Sequence, residues 1–205
     1  MSSEAPIEVT PAVRTDPRVV RTRGLLRDAL FALARERPLD TITVADIADR
    51  AGVNRSTYYQ HYSDKDTLLA EGLDRWVEDA LSKVDEDTGP VDGRAIIHAY
   101  FAHIAANAAL YRQVLSGVGS ANVQAWLRER LAGALLAHLD PEQSSLTLPV
   151  EILAAAISGA GLSIIRAWLE AEEPAPVDVA VSWVWAVLEA HGAVREPASV
   201  SSGDA

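Results

Sequence analysis

The chain has 205 residues, 49% of them hydrophobic and 23% charged, which suits a folded protein with a buried core and not a disordered one. It contains no cysteine, which excludes disulfides, thiolate chemistry and cysteine-ligated zinc. The formal net charge is −11, yet residues 1–62 carry nine Arg against eight Asp and Glu, so the acidic excess lies downstream and the first third remains open to contact with an anionic partner.

Residues 1–15 are polar, aperiodic and Pro-containing, without the apolar run of a secretory signal, and read as a disordered arm. From Asp16 the pattern is helical: Leu26, Ala29, Leu30 and Leu33 recur on one face, with Asp16 as N-cap, Pro17 at the first helical position and Pro38 ending the run. A short helix follows Thr43, a cap with Asp46 three residues on, and shows Val44, Ile47, Ala48 and Ala51 on one face. Gly52 stands where a positive φ is needed, and Asn54 can cap a third helix over residues 55–62. A long helix from Ser63 carries Leu69, Leu73, Trp76, Val77, Ala80, Leu81 and Val84 on one stripe. "DEDTGPVDG" then reads as a polar loop. Helical patterns continue over residues 94–107, 108–116, 120–138, 148–172 and 177–191, broken by "GVGS", "DPEQSS" and "EEPAP". The last residues, 193–205, read as a disordered tail. The expected fold is therefore all-α, with about nine helices. No uncharged apolar run reaches the length of a membrane span, because Glu151, Gly159 and Gly161 interrupt the longest, so a soluble cytoplasmic protein is expected.

Two short helices joined by a Gly-containing turn are a helix-turn-helix signal, in which the start of the second helix enters the major groove. Here that start is Arg55, Ser56 and Thr57, of which Arg can pair bidentately with guanine. Tyr58 and Tyr62, four apart, are expected in the core, leaving Tyr59, Gln60 and His61 for the DNA side or solvent. Lys65 is placed to reach a phosphate. Ser, His and Asp form no nucleophile motif, and no phosphate-binding Gly loop occurs. His98, His103 and His138 have no metal-ligand spacing. No enzyme activity, metal or cofactor is expected.

The run "TVADIADRAGVNRSTYYQHYSDKDTLL" resembles the N-terminal signature of the TetR family of bacterial transcriptional regulators: Thr before an Ile-Ala helix, Ala-Gly-Val, a Thr-aromatic-Tyr-x-His-aromatic run, then Lys-x-x-Leu-Leu. The resemblance covers about residues 16–70. It implies that Thr43, Thr57, Tyr59, His61 and Lys65 touch the phosphate backbone and that Arg55, Ser56 and Gln60 face bases. It also implies a homodimer on double-stranded operator DNA, acting as a repressor that lets go when a small-molecule effector binds. The division that follows is a DNA-binding unit over 16–65 and a ligand-binding and dimerisation unit over 66–192. Aromatic and apolar residues at helical spacing make Trp76, Tyr100, Phe101, Ile104, Tyr111, Trp126 and Trp168 the candidates for lining a ligand pocket. In the last two helices Ala156, Gly159 and Ala160 permit close backbone approach, Trp168, Trp183 and Trp185 supply large contact area, and Val181 and Val184 add apolar surface for a dimer interface. One departure from the family pattern is Pro38, where many members have Gly; Pro makes that turn equally well.

Overall fold

The computed structural model describes residues 16–87, 93–116, 120–138 and 148–193. The arm over 1–15, the tail beyond residue 193, the break at 140–145 and most of the breaks expected at 85–93 and 117–120 lie outside the described residues, as do the side chains of Val84 and His138; residues 85–87 and 93, expected in the loop, are helical. Among the described residues there are nine α-helices, one 3₁₀ turn and no strand. The helices are α1 (Pro17–Glu36), α2 (Val44–Ala51), α3 (Arg55–His61), α4 (Lys65–Asp87), α5 (Gly93–Ala106), α6 (Ala108–Leu115), α7 (Ala121–His138), α8 (Val150–Glu170) and α9 (Val177–Ala190). The 3₁₀ turn, Leu39–Thr41, lies between α1 and α2.

Local chemistry sets the boundaries. The Asp16 carboxylate accepts the Arg18 N–H at 2.9 Å, and Pro17 opens α1 where its missing donor costs nothing. At α2 the Thr43 hydroxyl accepts the Asp46 N–H, and the Asp46 carboxylate accepts the Thr43 N–H in return, a complete capping box. Bonds from Thr43 and Arg37 hold the Asp46 carboxyl down at about 2, so the box keeps its charge until the pH falls to that value. Gly52 then turns the chain at φ +70°, which suits a residue without Cβ. Asn54 occupies the cap position of α3, but its side chain makes no capping hydrogen bond. The long helix starts two residues later than Ser63, with Asp64 accepting the Thr67 N–H at 2.7 Å, and it runs past residue 84 to Asp87.

One continuous core joins these elements, from Leu26 and Leu30 of α1 through Ile47, Tyr58, Leu68 and Leu73 to Phe101, Tyr111, Ile165, Trp168 and Val181. It crosses the expected boundary at residue 65 without a gap, because α4 contributes Leu68 and Leu69 at one end and Leu73 and Val77 further along. α8 is by length and composition apolar enough to cross a bilayer, although Glu151 and Arg166 leave it no uncharged run of that length; Gly159 and Gly161 do not break the helix. Leu153, Ala154, Ile157, Ile165, Trp168 and Leu169 bury one side of it in the protein, as in a core helix.

At Gly72 α4 packs close against α1. A Cβ at this position would sit 2.7 Å from the Phe31 ring, which is buried and stacked on Trp76 at 3.8 Å between centroids. Gly72→Ala gains roughly 1 kcal/mol of helix propensity but forces overpacking that costs about 1–3 kcal/mol. Because the ring is buried and stacked on Trp76, the clash wins, and the variant is expected to lose about 1 kcal/mol in urea unfolding. A raised midpoint would show that the ring yields.

Candidate nucleic-acid interface and cavity

The helix-turn-helix is anchored from beneath by its tyrosines. Tyr58 is fully buried and donates its hydroxyl to the Asp64 carbonyl at 2.8 Å. Tyr62, also buried, donates to the Glu71 carboxylate at 2.8 Å, and burial pushes both phenols well above their ordinary pKa. Tyr59 turns outward at 54% exposure, edge-on to Tyr58. Arg55, Ser56 and Gln60 are exposed, and among the described residues their side chains make no hydrogen bond or ion pair with the protein. Thr57 and His61 are half-buried beside them, and Thr43 is exposed at the start of α2.

Most neighbouring cations are already engaged. Arg50 donates twice to Glu36, at 2.8 and 2.7 Å, tying α2 to α1, and this contact lowers the Glu36 pKa and raises that of Arg50. Arg37 pairs with Asp46 at 2.8 Å and Arg23 with Glu71 at 3.5 Å. Arg55 therefore stands out as a cation at the start of α3 with no partner among the described residues.

Lys65 has a structural task that sequence reading missed. Its ammonium donates to the Leu39 carbonyl and, at 3.0 Å, to the Ile42 carbonyl, so two of its three N–H groups hold the turn before α2. The Leu39 N–H in the same turn donates to the Gln113 side chain of α6 at 2.7 Å. No local pattern signals either bond, since the partners are 26 and 74 residues apart.

A cavity of about 480 Å³ lies between α4, α5, α7 and α8, with contributions from α6 and α9. Tyr100, Phe101, Ile104, Tyr111 and Trp126 line it. Trp76 and Trp168, expected in the same wall, do not. The Trp76 ring stacks on Phe31 and faces a separate cleft beside α6, and the Trp168 indole is buried against Phe101 and donates to the Ala175 carbonyl. Sequence reading also missed Asp74 of α4 and Arg130 of α7, which both line the cavity and join across it, Arg130 Nε donating to Asp74 Oδ1 at 2.5 Å. His103 lies behind the wall, edge-on to Trp76 and Tyr111; its Nε2 is buried without a hydrogen-bond partner among the described residues, and burial lowers its pKa. No cluster of His, Asp and Glu that could hold a metal occurs among the described residues.

Of the interface candidates, Ala156 is exposed and Gly159 and Ala160 are half-buried, with open space where a Gly159 Cβ would stand. Val181 and Trp185 differ from expectation. At 2% and 9% exposure they face the protomer's own core, and Val184 packs against that core too. The exposed large apolar residues of α8 and α9 are Ile152, Val179 and Trp183; of these only Trp183 is among the residues expected to supply contact area, and periodicity alone does not separate the other two from the inward ones.

Residues 26–71 match the family described as bacterial regulatory proteins, tetR family. The chain is 36% identical over 87 residues to the HTH-type transcriptional repressor LfrR of Mycolicibacterium smegmatis, covering 40% of this chain and 44% of that protein. It is 27% identical over 158 residues to the HTH-type transcriptional regulator EthR of Mycobacterium tuberculosis, covering 69% and 73%. The matches above 30% identity span less than half the length of those relatives. Among solved structures, Thermus thermophilus FadR, a TetR-family transcriptional repressor in complex with lauroyl-CoA, shares the fold at a TM-score of 0.57 and 18% identity over 86% of this chain and 98% of that one. These relatives carry the names of regulators, not of enzymes.

Proposed function

Because this chain belongs to the TetR family of bacterial regulatory proteins, we propose that it is a repressor that binds operator DNA as a homodimer in the cytoplasm and releases it when a small molecule enters the 480 Å³ cavity. The observation that carries this reading is the α3 surface. Arg55, Ser56 and Gln60 project from a helix fixed by the buried Tyr58, without partners among the described residues. Thr43, Thr57, Tyr59, His61 and the remaining N–H of Lys65 flank it for phosphate contacts.

The acidic body repels DNA and confines contact to the near-neutral head. Two copies meet through Ala156, Gly159 and Ala160 of α8, next to the exposed Ile152, Val179 and Trp183, and hold two α3 helices about 34–36 Å apart, one turn of DNA. α4 carries the signal, since Leu68 and Leu69 pack in the head while Leu73, Asp74, Val77 and Leu81 line the cavity. α6 offers a second route, from Tyr111 and Leu115 in the wall to Gln113 on the 39–41 turn. An occupant that displaces either helix changes the spacing of the heads. Linkage then requires that operator DNA weaken effector binding by the same factor by which effector weakens operator binding.

A mobility shift with the DNA upstream of the chain's own gene tests the core of this reading; retention of free DNA at micromolar protein would refute it. Arg55→Ala is expected to cost about 1–3 kcal/mol of operator affinity and to relax preference at one base pair. Binding-site selection with the variant checks this, and an unchanged preference would remove the base-reading role of Arg55.

A further inference from the structure

The cavity wall is largely apolar, with Ser158, Tyr100 and Tyr111 among its uncharged polar side chains. Among the described residues, the only charged side chains lining it are Asp74 and Arg130, and they are bonded to each other. We propose that the effector is an electrically neutral molecule, an apolar body with a single hydrogen-bonding end group that docks on the Asp74–Arg130 pair. This rests on the reading of the cavity as the effector site.

The argument is one of charge balance. A ligand ion entering this space loses hydration against Phe101, Ile104, Trp126 and Leu127 and meets no unpaired counter-charge. A carboxylate that captured Arg130 would leave Asp74 alone, and an ammonium that captured Asp74 would leave Arg130 alone, each a costly exchange once the ligand covers the pair. Glu78, one turn along α4 from Asp74, adds negative potential at Arg130 and weighs further against an anion. A neutral end group meets none of these costs. The bond between the pair uses only Nε and Oδ1. Among the described residues the two Nη atoms of Arg130 and Oδ2 of Asp74 make no other hydrogen bond with the protein. A hydroxyl, amide or ketone can accept from the first, and a hydroxyl or amide can donate to the second. The volume falls within the roughly 300–1,000 Å³ of small-molecule sites, and the walls suit a chain or ring system. Asp74 stands on the same helix as the head residues Leu68 and Leu69, so the end group touches the element that reaches the DNA side.

The test uses three probes of one chain length, decanol, decanoate and decylammonium, titrated calorimetrically at neutral pH into the full chain, Asp74→Asn, Arg130→Gln and Gly161→Leu. In the unaltered protein decanol is expected to bind tightest. Asp74→Asn leaves one unpaired cation and should improve decanoate by about tenfold. Arg130→Gln leaves one unpaired anion and should improve decylammonium by about the same factor. Gly161 lines the cavity and nothing stands within 4 Å of its would-be Cβ, so Gly161→Leu fills space and should weaken all three. Decanoate or decylammonium binding the unaltered protein as well as decanol would overturn the proposal, as would charge variants that leave the preference unmoved. Binding that survives Gly161→Leu intact would place the probes outside the cavity and overturn it too. If no probe binds any of the four proteins, the effector-site reading falls together with this one, whereas a wrong charge preference sinks this inference alone.

Discussion

Tyr58→Ala is expected to lower the unfolding free energy by about 3–5 kcal/mol and to abolish operator binding at concentrations where the unaltered chain is saturated. The ring has no exposed surface, and its removal opens a cavity beneath a helix of seven residues. A helix that short has no stability of its own and stays folded only through the face it buries. The hydroxyl contributes separately, through its bond to the Asp64 carbonyl at the start of α4. Tyr58→Phe keeps the packing and deletes that bond, so its loss should be only about 1 kcal/mol. Urea unfolding of both variants separates the two contributions. Equal losses would mean that the hydroxyl, not the ring, fixes α3. A Tyr58→Ala protein that still bound its operator normally would show that α3 is held by something other than this anchor.

The second large effect is expected at Lys65. Lys65→Ala strips the Leu39 and Ile42 carbonyls of a charged donor and should cost about 2–3 kcal/mol of stability, since hydrogen bonds to charged groups exceed neutral ones. The turn it holds delivers Thr43, the cap of α2, so operator affinity should fall at every sequence alike. The third N–H and the charge itself are left for a phosphate, which predicts that the slope of log affinity against log salt also drops by about one. Stability is read from urea unfolding and the slope from binding at several salt concentrations. A slope that stays the same while stability falls would confine Lys65 to the turn. Unchanged stability would show that the two carbonyls find other partners.

The head was largely legible because its signals are local. Thr43 and Asp46 lie three residues apart and close a capping box on themselves. Gly52 is needed where the chain takes a positive φ, and Tyr58 and Tyr62 share a stripe by helical spacing alone. The start of α8 was less sharp, since the periodic run extends to residue 148 while the helix begins after Pro149.

Side-chain destinations in the body followed another rule. Helical periodicity sorts residues by face but does not say which faces meet. Trp76 and Trp168 look like Tyr100 and Trp126 in the sequence, yet the first two pack into the core away from the cavity and the last two line it. Val181 and Trp185, expected at an outer surface, turn inward because α9 packs against both α5 and α8, a pairing no local pattern encodes.

By itself, then, the sequence determined the number and order of helices, the helix-turn-helix with its inward and outward tyrosines, and the separation of a near-neutral head from an acidic body. Each depends on residues within a few turns of one another. Only the tertiary structure decided where the cavity lies, that Asp74 meets Arg130 across 56 residues of chain, and that Lys65 reaches back 26 residues to hold the turn before α2. Those contacts depend on how helices cross, and crossing is fixed by the packing of whole faces, as at Gly72 against Phe31, and not by the spacing of any one segment.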